Sequence, residues 1–245
     1  MSYKENPKTK GSGILTCIPQ TGQCPNGCAD CFFQSGRSYL EPLDSNLPNM
    51  PEVTWQIVRV NDGNDSNVDR PATVAAVQKY PLRFYNTAIP ERLDEFDAPV
   101  VLTVNPGKNT DSDFTMLYSI PKNLMFVRFR TTMWNVMEPE KGSLADRAVC
   151  YYTEKQVPVV LTFMAFFTES VPDRWKSAYE FRKRTLNHYW AITHSAWRQV
   201  MERYESNPYV YSCGKEGVSG GSGCQRCGNC LREFFAAKCR MEASV

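Results

Sequence analysis

Histidine is nearly missing: among 245 residues only His188 and His194 occur. They are six apart and do not share a helix face, so neither a catalytic nor a metal-binding role is expected of them. An excess of one charge is missing too. Lys and Arg number 28 against 26 Asp and Glu, a net +2, so no global electrostatic case for nucleic acid follows. No apolar run reaches membrane-spanning length, and the stretch Met1 to Lys10 is polar and lysine-rich rather than a secretory signal. The expectation is a soluble, cytoplasmic protein with no membrane partner. Hydrophobic residues make up 42%, which excludes wholesale disorder and permits one large core with an appendage.

Cysteine, by contrast, is abundant and clustered. Cys24, Cys28 and Cys31 lie near the start; Cys213, Cys224, Cys227 and Cys230 lie near the end; Cys17, Cys150 and Cys239 are single. Spacings of two and three residues favour metal over a disulfide framework and imply a reducing compartment.

The first group sits in Gly22-Gln23-Cys24-Pro25-Asn26-Gly27-Cys28-Ala29-Asp30-Cys31-Phe32-Phe33, a C-x3-C-x2-C pattern. Pro25 and Gly27 suit a tight wrapping loop, because proline pre-sets one turn angle and glycine permits φ > 0. Three thiolates on one loop can hold three irons of a cubic cluster and leave the fourth open. The other readings are a structural zinc site or unpaired core cysteines. Zinc usually takes two C-x2-C pairs, or one pair with histidines.

The spacing, together with the apolar run Ile14-Leu15-Thr16-Cys17-Ile18 just before it, resembles the radical S-adenosylmethionine enzymes. The resemblance implies a [4Fe-4S] cluster on Cys24, Cys28 and Cys31. The open iron would chelate S-adenosylmethionine, whose reductive cleavage yields methionine and a hydrogen-abstracting 5′-deoxyadenosyl radical. It also implies an electron donor such as flavodoxin or ferredoxin. The aromatic residue that precedes the third cysteine in that family is here Asp30, with Phe32 and Phe33 following. The helix expected after the cluster loop is replaced by the proline-rich stretch 34–52.

Six strands are expected: Ile14–Ile18, Trp55–Val60, Leu82–Asn86, Val100–Val104, Leu124–Arg130 and Val157–Phe163. Helices are expected from Pro71 to about Lys79, around Glu91–Phe96, over 143–155 with Ser143 as cap, and from about Leu231. Near-continuous apolar strands alternating with helices mean an α/β fold with a covered parallel sheet. The fold class expected is a partial (β/α)6 barrel of parallel strands, the form known in the resembled family, over 1–170, with a cysteine-rich C-terminal extension over 171–245. Within 171–205, Leu186, Tyr189, Trp190, Trp197, Val200, Met201 and Tyr204 recur at helical steps, which predicts one amphipathic helix. Its aromatic and basic residues suit either core packing or nucleic acid.

Ligands of parallel α/β sheets gather at the carboxyl ends of strands. Asn61, Asp62 and Asn64 occupy the place where the family holds the amino group of S-adenosylmethionine. Thr103 and Asn105 are candidates for its ribose, and Arg128 or Arg130 for its carboxylate. At the tail, Cys224, Cys227 and Cys230 partly resemble a ferredoxin-type run, with Cys213 the first choice of fourth ligand and Cys239 the second. That second site is expected to hold an auxiliary iron–sulfur cluster or zinc. A nucleobase or nucleic acid is the first expected substrate, and no residue is assigned to acid–base catalysis. The alternative from another class is a non-catalytic, zinc-binding protein that binds nucleic acid through 171–230.

Overall fold

The computed structural model describes residues 2–28, 31–33, 36, 38–105, 116–137, 143–167, 171–183, 188–214 and 224–243. The elements run β1 (Ile14–Cys17), α1 (Leu43–Asn46), β2 (Ile57–Val60), α2 (Arg70–Val77), β3 (Arg83–Thr87), β4 (Val100–Val104) and β5 (Leu124–Thr131). There follow α3 (Met133–Met137), α4 (Leu144–Thr153), β6 (Val159–Phe163), β7 (Tyr179–Arg182), β8 (Tyr189–Ile192), α5 (His194–Glu202), β9 (Val210–Ser212), α6 (Cys224–Cys227) and α7 (Asn229–Glu242). Short 3-10 turns occupy Leu93–Glu95 and Asp173–Ala178.

Seven strands form one sheet in the order β1-β2-β3-β4-β5-β6-β9, and every neighbouring pair is parallel. Six of these strands stand where the apolar runs predict them, within a residue or two at the ends. The seventh, Val210–Ser212, was not expected. It is only three residues long and carries no alternation strong enough to signal a strand. Through it, chain beyond residue 170 joins the same sheet.

Strand alternation sorts the side chains onto two faces. One face carries Val58, Val60, Tyr85, Val100, Leu102, Val127, Phe129, Val159 and Leu161, buried against α2, α3, α4 and α5. The other carries Ile14, Ile57, Phe84, Val101, Phe126 and Val160, buried against Phe234 and Ala237 of α7. Toward the carboxyl ends, this second face turns polar, with Thr16, Arg59, Asn86, Thr103, Arg128, Arg130 and Thr162 at the alternating positions. The α7 helix therefore covers the apolar lower part of that face, leaving the polar band above it.

Helix starts follow capping chemistry. The Asp69 carboxylate accepts from the Ala72 amide at 3.1 Å, with Pro71 in the first turn of α2. The Ser143 hydroxyl accepts from the Asp146 amide at 3.1 Å, and the Thr193 hydroxyl from the Ala196 amide at 3.3 Å. Replacing any of these caps by alanine costs about 1 kcal/mol.

The expectation of one helix through 171–205 is wrong. The described residues of that stretch form a 3-10 turn, the antiparallel pair β7 and β8, and the nine-residue α5. Tyr189 and Trp190 lie on β8, paired with Arg182 and Phe181. Aromatic residues at three- and four-residue steps fit a helix face, but they also favour strands, and here cross-strand pairing decided. Leu186, part of that pattern, lies outside the described residues. The tail helix begins at Asn229 rather than Leu231 and is longer than expected.

Candidate metal and ligand site

The loop after β1 carries Cys24, Cys28 and Cys31 at the carboxyl edge of the sheet, and all three are partly buried. Asp30 lies outside the described residues. Three contacts tie this loop to the neighbouring strand ends. Asn105, just past β4, donates its side-chain amide to the Cys28 sulfur at 3.5 Å. Arg130 on β5 in turn donates to the Asn105 side-chain oxygen at 3.1 Å. Asn26, between the first two cysteines, donates to Asp65 in the loop after β2 at 3.4 Å.

Asp65 is the residue that sequence reasoning missed. It is buried, and its carboxylate accepts from the Thr87 hydroxyl at 2.7 Å, the Ala88 amide at 2.7 Å and the Asn67 amide at 2.8 Å. A carboxylate so satisfied locks the ends of β2 and β3 to the cysteine loop. The one available signal was its place in the polar run Asn61 to Asn67, where several Asx residues compete for the same reading.

Phe33 adds an apolar tie. It is buried and lies over Gly63, where a Cβ would sit 2.1 Å from its ring. Only a residue without a side chain permits that approach. Phe32 is more exposed and faces Phe167 at 6.1 Å between ring centroids; Phe167 in turn meets Tyr189 at 6.0 Å. The Lys8 ammonium stands 5.0 Å from the Phe32 ring centre.

The residues expected to hold a ligand divide among several tasks. Asp62 pairs with Arg59 and accepts from Asn6, and Asn64 donates to the Gly22 carbonyl at 3.1 Å, so both brace loops. Asn61 is buried with φ of 62°, and among the described residues its buried side-chain oxygen has no hydrogen-bond partner. The side-chain oxygen of Gln20, just after β1, is in the same state. Thr103 pairs in register with Arg128 on the polar face. Arg128 donates to the Asn86 side-chain oxygen at 3.3 Å and leans over the Phe126 ring. Residues 106–111, the rest of the loop after β4, lie outside the described residues.

Burial pushes the Cys24 thiol up, a backbone hydrogen bond at Asn26 opposes it, and nearby Asp65, Cys28 and Cys31 add to the rise. Their mutual influence places the three sulfurs in one neighbourhood. The tail forms a second one. Cys224 interacts electrostatically with Arg59, Cys213, Cys227 and Arg128, and Cys230 with Arg128, Arg59, Cys213 and Cys224. Burial raises both thiols, that of Cys230 to about 11, against the pull of the arginines. The Gly214 amide donates to the Cys227 sulfur at 3.4 Å. Cys213, at the end of β9, is thus the neighbour of this group. Cys239 is exposed and lies nine residues along α7 from Cys230, about 13 Å by helical rise. Among the described residues, no three or more Cys, His, Asp or Glu side chains already stand in a metal-gripping arrangement. In either neighbourhood the sulfurs would have to close in as a metal loads, the ordinary coupling of metal binding to local folding.

Compared with known proteins, the chain matches no family model, no curated protein and no solved structure. Among the described residues no helix is long and apolar enough to cross a membrane.

Proposed function

We propose that this chain is a radical S-adenosylmethionine enzyme built on a partial barrel of parallel strands. The observation that carries the reading is where the three cysteines fall. A C-x3-C-x2-C loop follows the first strand of a sequentially ordered parallel sheet, at the edge where such sheets bind ligands. The donor set fits a cubic iron–sulfur cluster with one open iron: three thiols from one loop and no histidine among its ligands. When bound, that cluster would supply the electron that cleaves S-adenosylmethionine to methionine and a 5′-deoxyadenosyl radical.

The chain's own residues have matching work. Asn105 holds the Cys28 sulfur, and Arg130 holds Asn105. Asp65 and Phe33 fix the loop against the ends of β2 and β3. The unpartnered oxygens of Asn61 and Gln20 suit an ammonium donor, the chemistry of the amino group of S-adenosylmethionine. Thr103 offers a hydroxyl to the same polar face. The row Phe32, Phe167 and Tyr189, with Lys8 beside it, suits a planar, anionic substrate, and a nucleobase or nucleic acid is the class we assign.

The deciding experiment is anaerobic purification with iron and zinc analysis, followed by incubation with S-adenosylmethionine and dithionite. A brown protein that releases 5′-deoxyadenosine, and a Cys28→Ala variant that does not, is the expected result. A colourless protein that carries only zinc and leaves S-adenosylmethionine intact would overturn the reading in favour of a zinc-binding, nucleic-acid-binding protein.

A further inference from the structure

Arg128 is half-buried on the polar face, and among the described residues it has no carboxylate partner; it donates to the neutral Asn86 side-chain oxygen and lies over the Phe126 ring. On the same face, with β3 and β4 between, Arg59 is paired with Asp62 through one guanidinium nitrogen, while among the described residues its buried Nε has no acceptor. Two guanidiniums on one face therefore hold more positive charge than Asp62 neutralises, an arrangement that suits an anionic neighbour. Both arginines act electrostatically on Cys224 and Cys230 of the tail.

Several contacts bring that group together from distant parts of the chain. The Cys213 amide donates to the Leu161 carbonyl at 2.8 Å, anchoring Cys213 to the middle of β6. The Asn229 side chain donates to the Ser212 carbonyl at 2.8 Å, tying the start of α7 to β9. The Cys224 amide donates to the Lys8 carbonyl at 3.0 Å, and Gly214 donates to the Cys227 sulfur. An N–H aimed at sulfur is the contact that a metal-bound thiolate receives. Cys230 packs against the apolar cluster under the polar band.

We infer that Cys213, Cys224, Cys227 and Cys230 form a second, closed iron–sulfur centre on the α7 face of the sheet, with Arg59 and Arg128 neutralising its charge. Four thiolates around either zinc(II) or a [4Fe-4S]2+ cluster carry a net negative charge, so the arginines suit both. The ligand spacing separates them. Three cysteines at successive x2 intervals plus one remote cysteine is the ferredoxin arrangement, whereas closed zinc sites are assembled from pairs. On this reading Arg128 belongs to the tail centre rather than to a ligand carboxylate, and the polar band lies between two sulfur sites. The inference stands on the tail residues alone and survives if the N-terminal loop holds no cluster.

The test uses the full chain, purified and reconstituted anaerobically with iron and sulfide, zinc being present in equal amount. A Cys24→Ala/Cys28→Ala/Cys31→Ala variant is expected to keep about four irons and four sulfides per chain. A Cys224→Ser/Cys227→Ser/Cys230→Ser variant is expected to lose that quota and, if the proposed function holds, to retain the N-terminal iron. One zinc per chain without sulfide in the first variant would overturn the inference, as would an iron-free but folded protein. Should the first variant fail to fold, by far-ultraviolet circular dichroism, the wild-type count decides. About eight irons support two centres, and four irons that persist in a Cys230→Ser/Cys213→Ser variant overturn the second. Arg128→Gln should retain the iron and lower the reduction potential of the tail centre, because it removes a positive charge beside it. An unchanged potential in that variant would remove the assigned role of Arg128.

Discussion

Arg128 and Arg130 stand two residues apart on one face of β5, yet they have different neighbours. Arg130 reaches the N-terminal loop through Asn105 and Cys28. Arg128 donates to Asn86 and acts electrostatically on Cys224 and Cys230 of the tail. A two-residue step along a strand is about 7 Å, enough to move a guanidinium from one neighbourhood to the next while keeping the same face.

The Asn105 contact sets an expectation for the N-terminal cluster of the proposed enzyme. An N–H donated to a ligating sulfur favours the more reduced, more negative state. Asn105→Leu should lower the midpoint potential of that cluster in an anaerobic dithionite titration and slow 5′-deoxyadenosine formation. Arg130→Leu should shift the potential in the same direction by a smaller amount, because it acts through Asn105. An Asn105→Leu protein with wild-type potential would show that this amide does not reach the loaded cluster.

Gly63 offers a test of how the cysteine loop is seated. A methyl group there would collide with the buried Phe33 ring, so Gly63→Ala should destabilise the protein by about 1–3 kcal/mol. The loss should appear as a lower midpoint in urea unfolding. The double change Gly63→Ala/Phe33→Leu should recover part of it, since the smaller side chain gives the methyl room. Additive losses would mean the two residues do not meet.

Phe234 is buried where α7 crosses the sheet and packs on Phe84, 6.2 Å between ring centroids, while its neighbour Phe235 is 54% exposed. Phe234→Ala should cost about 3–5 kcal/mol, and Phe235→Ala within about 0.5 kcal/mol. Thermal unfolding of the two variants distinguishes them directly. Comparable losses would contradict the face that α7 presents to the sheet.

A pH effect is expected at Asp146, which joins α4 to the region after α5. Partial burial acts to raise its carboxyl, but hydrogen bonds from Arg203 and Tyr204 outweigh this and hold it below the ordinary value. A depressed folded value stabilises the protein fully above the unfolded carboxyl's pKa of about 3.9 and loses that effect as pH falls through the folded value. After allowance for solvent screening, Asp146→Asn should cost about 1 kcal/mol at pH 7 and pH 5. The gap from wild type should close below about pH 3. A gap that stays constant down to pH 2 would mean that the carboxylate charge is not the source.

By itself the sequence determined the parts whose signals are local. Runs such as Val100–Val104 and Val159–Phe163 are apolar on both sides except at Thr103 and Thr162, a pattern that suits a covered parallel strand. Asp69 with Pro71, and Ser143, start helices because the capping side chain and the amide it receives lie three residues apart. The cysteine spacings were legible for the same reason. Tertiary structure alone decided the rest. Residues 171–205 carry a pattern compatible with helix or strand, and pairing of Phe181 with Trp190 between β7 and β8 resolved it. Asp65 became the anchor of the cysteine loop only when β3 brought Thr87 and Ala88 within reach. The placing of Cys213, Arg59 and Arg128 within electrostatic reach of the tail cysteines joins residues far apart in the chain. No periodicity encodes such a placing, because it depends on strand order and on the side of the sheet that α7 covers.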